Sequence, residues 1–156
     1  MYRFLAAVLL ATLGLTSVAR AEECTATVYE GLVVEAKNAD NNRQWNRSVE
    51  LHRLLLDDCR SRLEGGELVK VYDALAVGLL MQEQYTAAID TAKNCLAEDS
   101  RYNACMMTAA KAYENLGDRE MAMQFAREAI EIGAYDDYSA AVVIYAKDFL
   151  KKLEKK

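Results

Sequence analysis

Two pentads decide how this chain is read: Tyr85-Thr86-Ala87-Ala88-Ile89 and Arg119-Glu120-Met121-Ala122-Met123, which lie 34 residues apart. The same offset sets Leu75 against Ala109, Ala76 against Ala110, Leu79 against Tyr113, Ala92 against Ala126, Cys95 against Ala129 and Leu96 against Ile130. Apolar residues within each block recur at helical spacing. A period of this length with helical texture means a unit of two helices. Such a pair cannot bury its apolar face alone, so neighbouring units stack and share an interior. Small side chains at Ala76, Ala88, Ala110 and Ala122 let helix backbones approach closely, and Tyr85 and Phe125 are placed to fill space between layers.

Working outward, helical periodicity covers nearly everything beyond residue 24. Seven segments are predicted, at 25–37, 44–63, 67–82, 85–97, 102–115, 119–132 and 138–154. The breaks carry the expected punctuation. Asn38-Ala39-Asp40-Asn41-Asn42 reads as a polar turn, Gly65-Gly66 as a stop and restart, Gly117-Asp118 as a tight joint, and Gly133 as a helix end. No stretch sustains the alternation of a strand, and the 156 residues contain no Pro. An all-α fold without sheet is expected.

The 34-residue unit resembles the tetratricopeptide repeat (TPR) family of helix–turn–helix units. Residues 103–136 match best: Ala110 takes the family's small residue, Tyr113 the aromatic three places on, Leu116-Gly117-Asp118 the turn, and Ala122, Ala126 and Ala129 the second helix. Residues 69–102 are a looser match, with Ala76, Tyr85 and Ala88 in place, Glu83 where Gly usually turns and Ser100 where Pro usually ends the unit. The expected organisation is a signal segment (1–21), an N-terminal helical hairpin (22–66), two TPR-like repeats (67–136) and a capping helix (137–156), a TPR-like α-solenoid. The hairpin fits a third unit poorly, because Trp45 and Val49 precede Arg119 and Ala122 by 74 and 73 residues, so the register requires an insertion.

The resemblance implies a binding groove lined by the first helix of each unit. By the family's register it comprises Lys70, Asp73, Val77, Leu80 and Met81, then Ala104, Met107, Lys111, Glu114 and Asn115, with Tyr138, Ala141 and Tyr145 from the last helix. Met and Tyr suit irregular partner surfaces. TPR domains that hold a C-terminal carboxylate place Lys and Asn where this chain has Asp73 and Val77, so no carboxylate clamp is expected.

The N-terminus reads as a secretory signal: Arg3, an apolar run from Phe4 to Leu15, then Ala19-Arg20-Ala21 as a cleavage site. The apolar run is too short to span a bilayer. Cleavage leaves 17 basic and 24 acidic side chains, a net charge of −7, and retains Cys24, Cys59, Cys95 and Cys105. An even cysteine count in an exported chain reads as disulfides. Four cysteines allow three connectivities. A hairpin suits a Cys24–Cys59 bridge, and Cys95–Cys105 would pin two units across the joint Glu98-Asp99-Ser100-Arg101.

The acidic balance argues against nucleic acid as a partner. Phosphate-binding glycine motifs are absent, and neither Asp57-Asp58 nor Asp136-Asp137 is spaced as an acid–base dyad. His52, between Leu51 and Arg53, reads as a helix-surface or interface residue. Arg43, Arg47, Arg53, Arg60 and Arg62 read as a solvated helix face or a contact for an acidic partner. Catalysis, a cofactor and a metal are not expected. The expected activity is that of a periplasmic or secreted adaptor for a protein or peptide partner. The alternative is a module that self-assembles into homo-oligomers through its end helices.

Overall fold

The computed structural model of the chain describes residues 24–133 and 140–155. Among these the elements are α1 (Ala26–Asn41), α2 (Trp45–Asp57), a 3₁₀ turn (Arg60–Arg62), α3 (Gly66–Met81), α4 (Tyr85–Glu98), α5 (Asn103–Leu116), α6 (Arg119–Gly133) and α7 (Ala140–Glu154), with no strand. Each helix packs on the next, and α3 also touches α5 as α5 touches α7. The all-α architecture of stacked helix pairs is the one expected. The signal segment, Asp136-Asp137 and Tyr138 lie outside the described residues.

The polar run at 38–42 is not the turn. Helix α1 continues to Asn41, because Ala39 faces the interior and Asp40 points its carboxylate at α2. The true turn is one repeated geometry. The Gln44 N–H donates to the Ala39 carbonyl at 2.8 Å, that of Gln84 to Leu79 at 2.9 Å, and that of Asp118 to Tyr113 at 2.9 Å. One residue before each donor, the backbone takes a positive φ: 56° at Arg43, 62° at Glu83 and 82° at Gly117. The first two turns are 40 residues apart, and the last two 34.

The N-terminal hairpin therefore repeats the form of the later pairs, with six extra residues. These are absorbed between α2 and α3, where the segment expected as one helix over 44–63 stops at Asp57 and continues into the 3₁₀ turn. The register also corrects the small-residue alignment. Ser48, not Val49, stands with Ala88 and Ala122, all fully buried, and Ala36 stands with Ala76 and Ala110.

Close approach shows at Gly78. A Cβ there would lie 2.7 Å from the Val49 Cγ2, so α2 and α3 meet where a side chain is missing. Inter-layer filling falls to Phe125, which stacks on Tyr113 at 5.6 Å between centroids. Two disulfides join the stack, Cys24–Cys59 closing the first pair and Cys95–Cys105 linking α4 to α5. Three of the five clustered arginines are engaged within the chain. Arg47 pairs with Glu35 and Glu50, Arg60 with Glu98, and Arg62 donates to the Cys24 carbonyl.

Candidate functional site

Helices α1, α3 and α5 come first in their pairs, and with α7 they form one wall of the stack. At its N-terminal end the wall opens into a cleft of about 370 Å³ between α1 and α3, floored by α2. Val33, Ala36, Leu55, Leu63, Val71 and Ala74 give it an apolar floor, and Lys37, Glu67 and Lys70 a charged rim. The Tyr29 hydroxyl donates to Glu67 Oε2 at 2.8 Å and ties the two helices across the opening. Burial and that bond hold the Tyr29 phenol above its ordinary value.

Asp40 and His52 also line the cleft, and with Ser48 they form a polar network that the sequence does not announce. The Ser48 hydroxyl donates to Asp40 Oδ1 at 2.5 Å, and His52 Nε2 lies 3.6 Å from Asp40 Oδ2. His52 Nδ1 lies 2.9 Å from the Ser48 carbonyl, so that nitrogen carries a proton. His52 is 5% exposed, so of the two expected placements, helix surface or interface, it does not take the surface one. Ser48 and His52 occupy the positions held by Ala88 and Ala92 in the next pair, so polar side chains fill space that alanines leave tight. These three residues are not arranged as a nucleophilic triad. The hydroxyl is fully buried, gives its proton to the carboxylate, and sits 3.5 Å from the nearest ring nitrogen.

Of the residues expected to line the groove, Lys70, Asp73, Val77 and Lys111 lie on the wall with solvent access, and Met81 and Asn115 are exposed at its lower edge. Leu80 and Met107 are corrections. At 9% and 4% exposure they belong to the interior, Leu80 in a cluster with Leu79 and Ile89, Met107 in one with Ala110, Phe125 and Phe149. The family register places a side chain on a face, but the bulk of Leu and Met carries these two into the seam between helices. The C-terminal end of the wall is closed by α7. The Lys111 Nζ sits 4.8 Å from the Tyr145 ring centroid, and Lys152 pairs with Glu114 at 3.4 Å.

Asp73 occupies the middle of the wall. Its Oδ1 lies 3.5 Å from the Cys105 sulfur, which is oxidised and has no proton to donate. Burial pushes its pKa up to about 6. Burial first, then the Asp73 and Asp99 carboxylates, raise the pKa of the neighbouring Tyr102 phenol. Sequence reasoning missed Tyr29, Lys37 and Glu67. An offset of 40 rather than 34 sets Lys37 against Val77 and Val33 against Asp73, which finds Lys37; Tyr29 and Glu67 fall on no expected groove position and carry no such signal.

A stack of antiparallel helix pairs with this turn and this small-residue register is a TPR-type fold. Among solved structures, PcrH of Pseudomonas aeruginosa superposes with a TM-score of 0.72 at 16% identity, over 83% of this chain and 94% of that one. The type III secretion translocator chaperone SycD of Yersinia enterocolitica superposes at 0.71 and 16% identity, over 88% of this chain and 90% of that one. The TPR domain of Arabidopsis OM64 superposes at 0.59 and 14% identity, over 78% and 96%. No protein-family profile matches the sequence, and no curated protein matches it. At these identities the likeness establishes the fold.

Proposed function

We propose that the protein is a non-enzymatic adaptor that holds a segment of a partner protein along the inner wall of its helix stack. The observation that carries this reading is the cleft between α1 and α3, with its apolar floor and charged rim, opening onto a wall of accessible side chains at Asp73, Val77 and Lys111. Apolar concavities with a few polar groups are where proteins take ligands. The comparison supports it, since PcrH has been solved in complex with the chaperone-binding regions of PopD and of PopB.

The adaptor works outside the cytoplasm, in the periplasm or as a secreted protein. The signal-like N-terminus and the pairing of all four cysteines support this. Among the described residues, no helix is long and apolar enough to cross a membrane. The protein is to be recovered from an envelope fraction with its bound partners, beside a Lys70→Glu/Val77→Glu variant. Loss of a partner from the folded variant supports the reading. Unchanged recovery removes the wall from it.

A second reading, self-assembly through the last helix, has one specific observation in its favour. Ile144 is 65% exposed on the face of α7 turned away from the stack. Sedimentation over a wide concentration range decides it, with a monomer throughout excluding it.

A further inference from the structure

The carboxylates along the inner wall are not alike. Asp40 accepts from the Ser48 hydroxyl, Glu67 accepts from the Tyr29 hydroxyl, and Glu114 pairs with Lys152. Asp73 has no such partner: among the described residues, no donor hydrogen-bonds to it and no cation pairs with it. Lys70, one turn earlier on the same face, extends into solvent without forming an ion pair. The disulfide sulfur of Cys105 lies 3.5 Å from the carboxylate and offers it no proton. A half-buried carboxylate without a partner destabilises the fold that contains it. Groups held in this way concentrate at functional sites.

We propose that Asp73 is the cation-recognising position of the groove, and that the partner segment carries a Lys or Arg side chain whose charged end pairs with it. The inference rests on the reading of the wall as a binding surface. Charge complementarity selects the occupant. A cation entering beside Asp73 supplies the missing partner at a half-buried position, where water screens a charge pair less than on the open surface. Tyr102, held in its neutral phenol form, leaves the carboxylate as the charge of the site and offers an aromatic neighbour to an alkyl or guanidinium stem. An anionic segment would instead meet an unpaired like charge, so the same residue rejects it.

The test uses a phage-displayed library of random peptides, selected separately on the oxidised protein and on Asp73→Asn. A selected peptide is then measured by fluorescence anisotropy, with and without its basic residue replaced by norleucine. The expected result is a consensus with one fixed Lys or Arg on the wild type that disappears on Asp73→Asn. The norleucine peptide binds the wild type about tenfold or more weakly, while Asp73→Asn does not distinguish the two. Thermal melts confirm that the variant is folded. A consensus without a basic position, whose binding is still weakened by Val77→Glu, overturns the role of Asp73 and leaves the groove standing. Selected peptides indifferent to both Val77→Glu and Asp73→Asn overturn the groove and this inference together.

Discussion

At the scale of single residues, the energetics concentrate where polar groups are enclosed. Asp73 is the sharpest case. Its pKa rises from 3.8 unfolded to about 6 folded, so between those values the folded state holds more protons than the unfolded one. Its contribution to stability is therefore full below pH 3.8 and lost as pH rises through about 6. Relative to Asp73→Asn, the wild type should lose on the order of 1–3 kcal/mol between pH 4 and pH 7. Chemical denaturation of both proteins across that range measures it, and parallel curves would contradict it. The sequence placed Asp73 on the groove and showed that it departs from a carboxylate clamp. It could not show the enclosure, which depends on where Tyr102 and the Cys95–Cys105 bridge settle. The sequence leaves His52 open between helix surface and interface, and the Ser48 carbonyl that takes its Nδ1 proton is visible only in the fold.

At the scale of elements, the turns show which residues the geometry needs and which it merely tolerates. Gly117 takes its positive φ without strain, whereas Arg43 and Glu83 hold side chains in a region costly for L-residues. Glu83→Gly should raise stability by about 0.5–1 kcal/mol, less than the full strain because Gly also gains freedom in the unfolded chain. A melting temperature unchanged or lowered would contradict this. The reverse argument applies to Gly78. Ala is the better helix former, yet its Cβ would press on Val49, so Gly78→Ala should cost about 1–3 kcal/mol through displacement of α2 from α3. Equilibrium unfolding checks it. The two later helix pairs were legible because their 34-residue period repeats small residues in place. The first pair was legible as helices only. Its period is lengthened by an insertion, and although Ala36 keeps the small position of its first helix, the second helix holds Ser48 and His52 where the next pair has Ala88 and Ala92.

At the scale of the whole molecule, a stack gains its stability from contacts between neighbours, so a link across one joint matters to units on both sides. The Cys95–Cys105 bridge closes a short loop, with a separation of 10 residues. Its removal by Cys95→Ala/Cys105→Ala should lower stability by about 2–3 kcal/mol. The loss should appear as faster amide exchange in α5 and α6 more than in α1. Uniform exchange along the chain would contradict that placement. The overall architecture followed from sequence because stacking is dictated by repetition. The openness of the wall did not, since it depends on how far α7 folds over α5, a matter of the Lys111–Tyr145 and Glu114–Lys152 contacts.

Partner binding along the inner wall, rather than on the outer helices, is the central claim. Site-specific photo-crosslinking in intact cells tests this most directly, with a benzophenone side chain placed in turn at Val77 on the wall and at Asp90 on the exposed face of α4. A partner held on the wall gives a discrete crosslinked species from Val77 that is absent from Asp90. A partner captured from Asp90 and not from Val77 would contradict it.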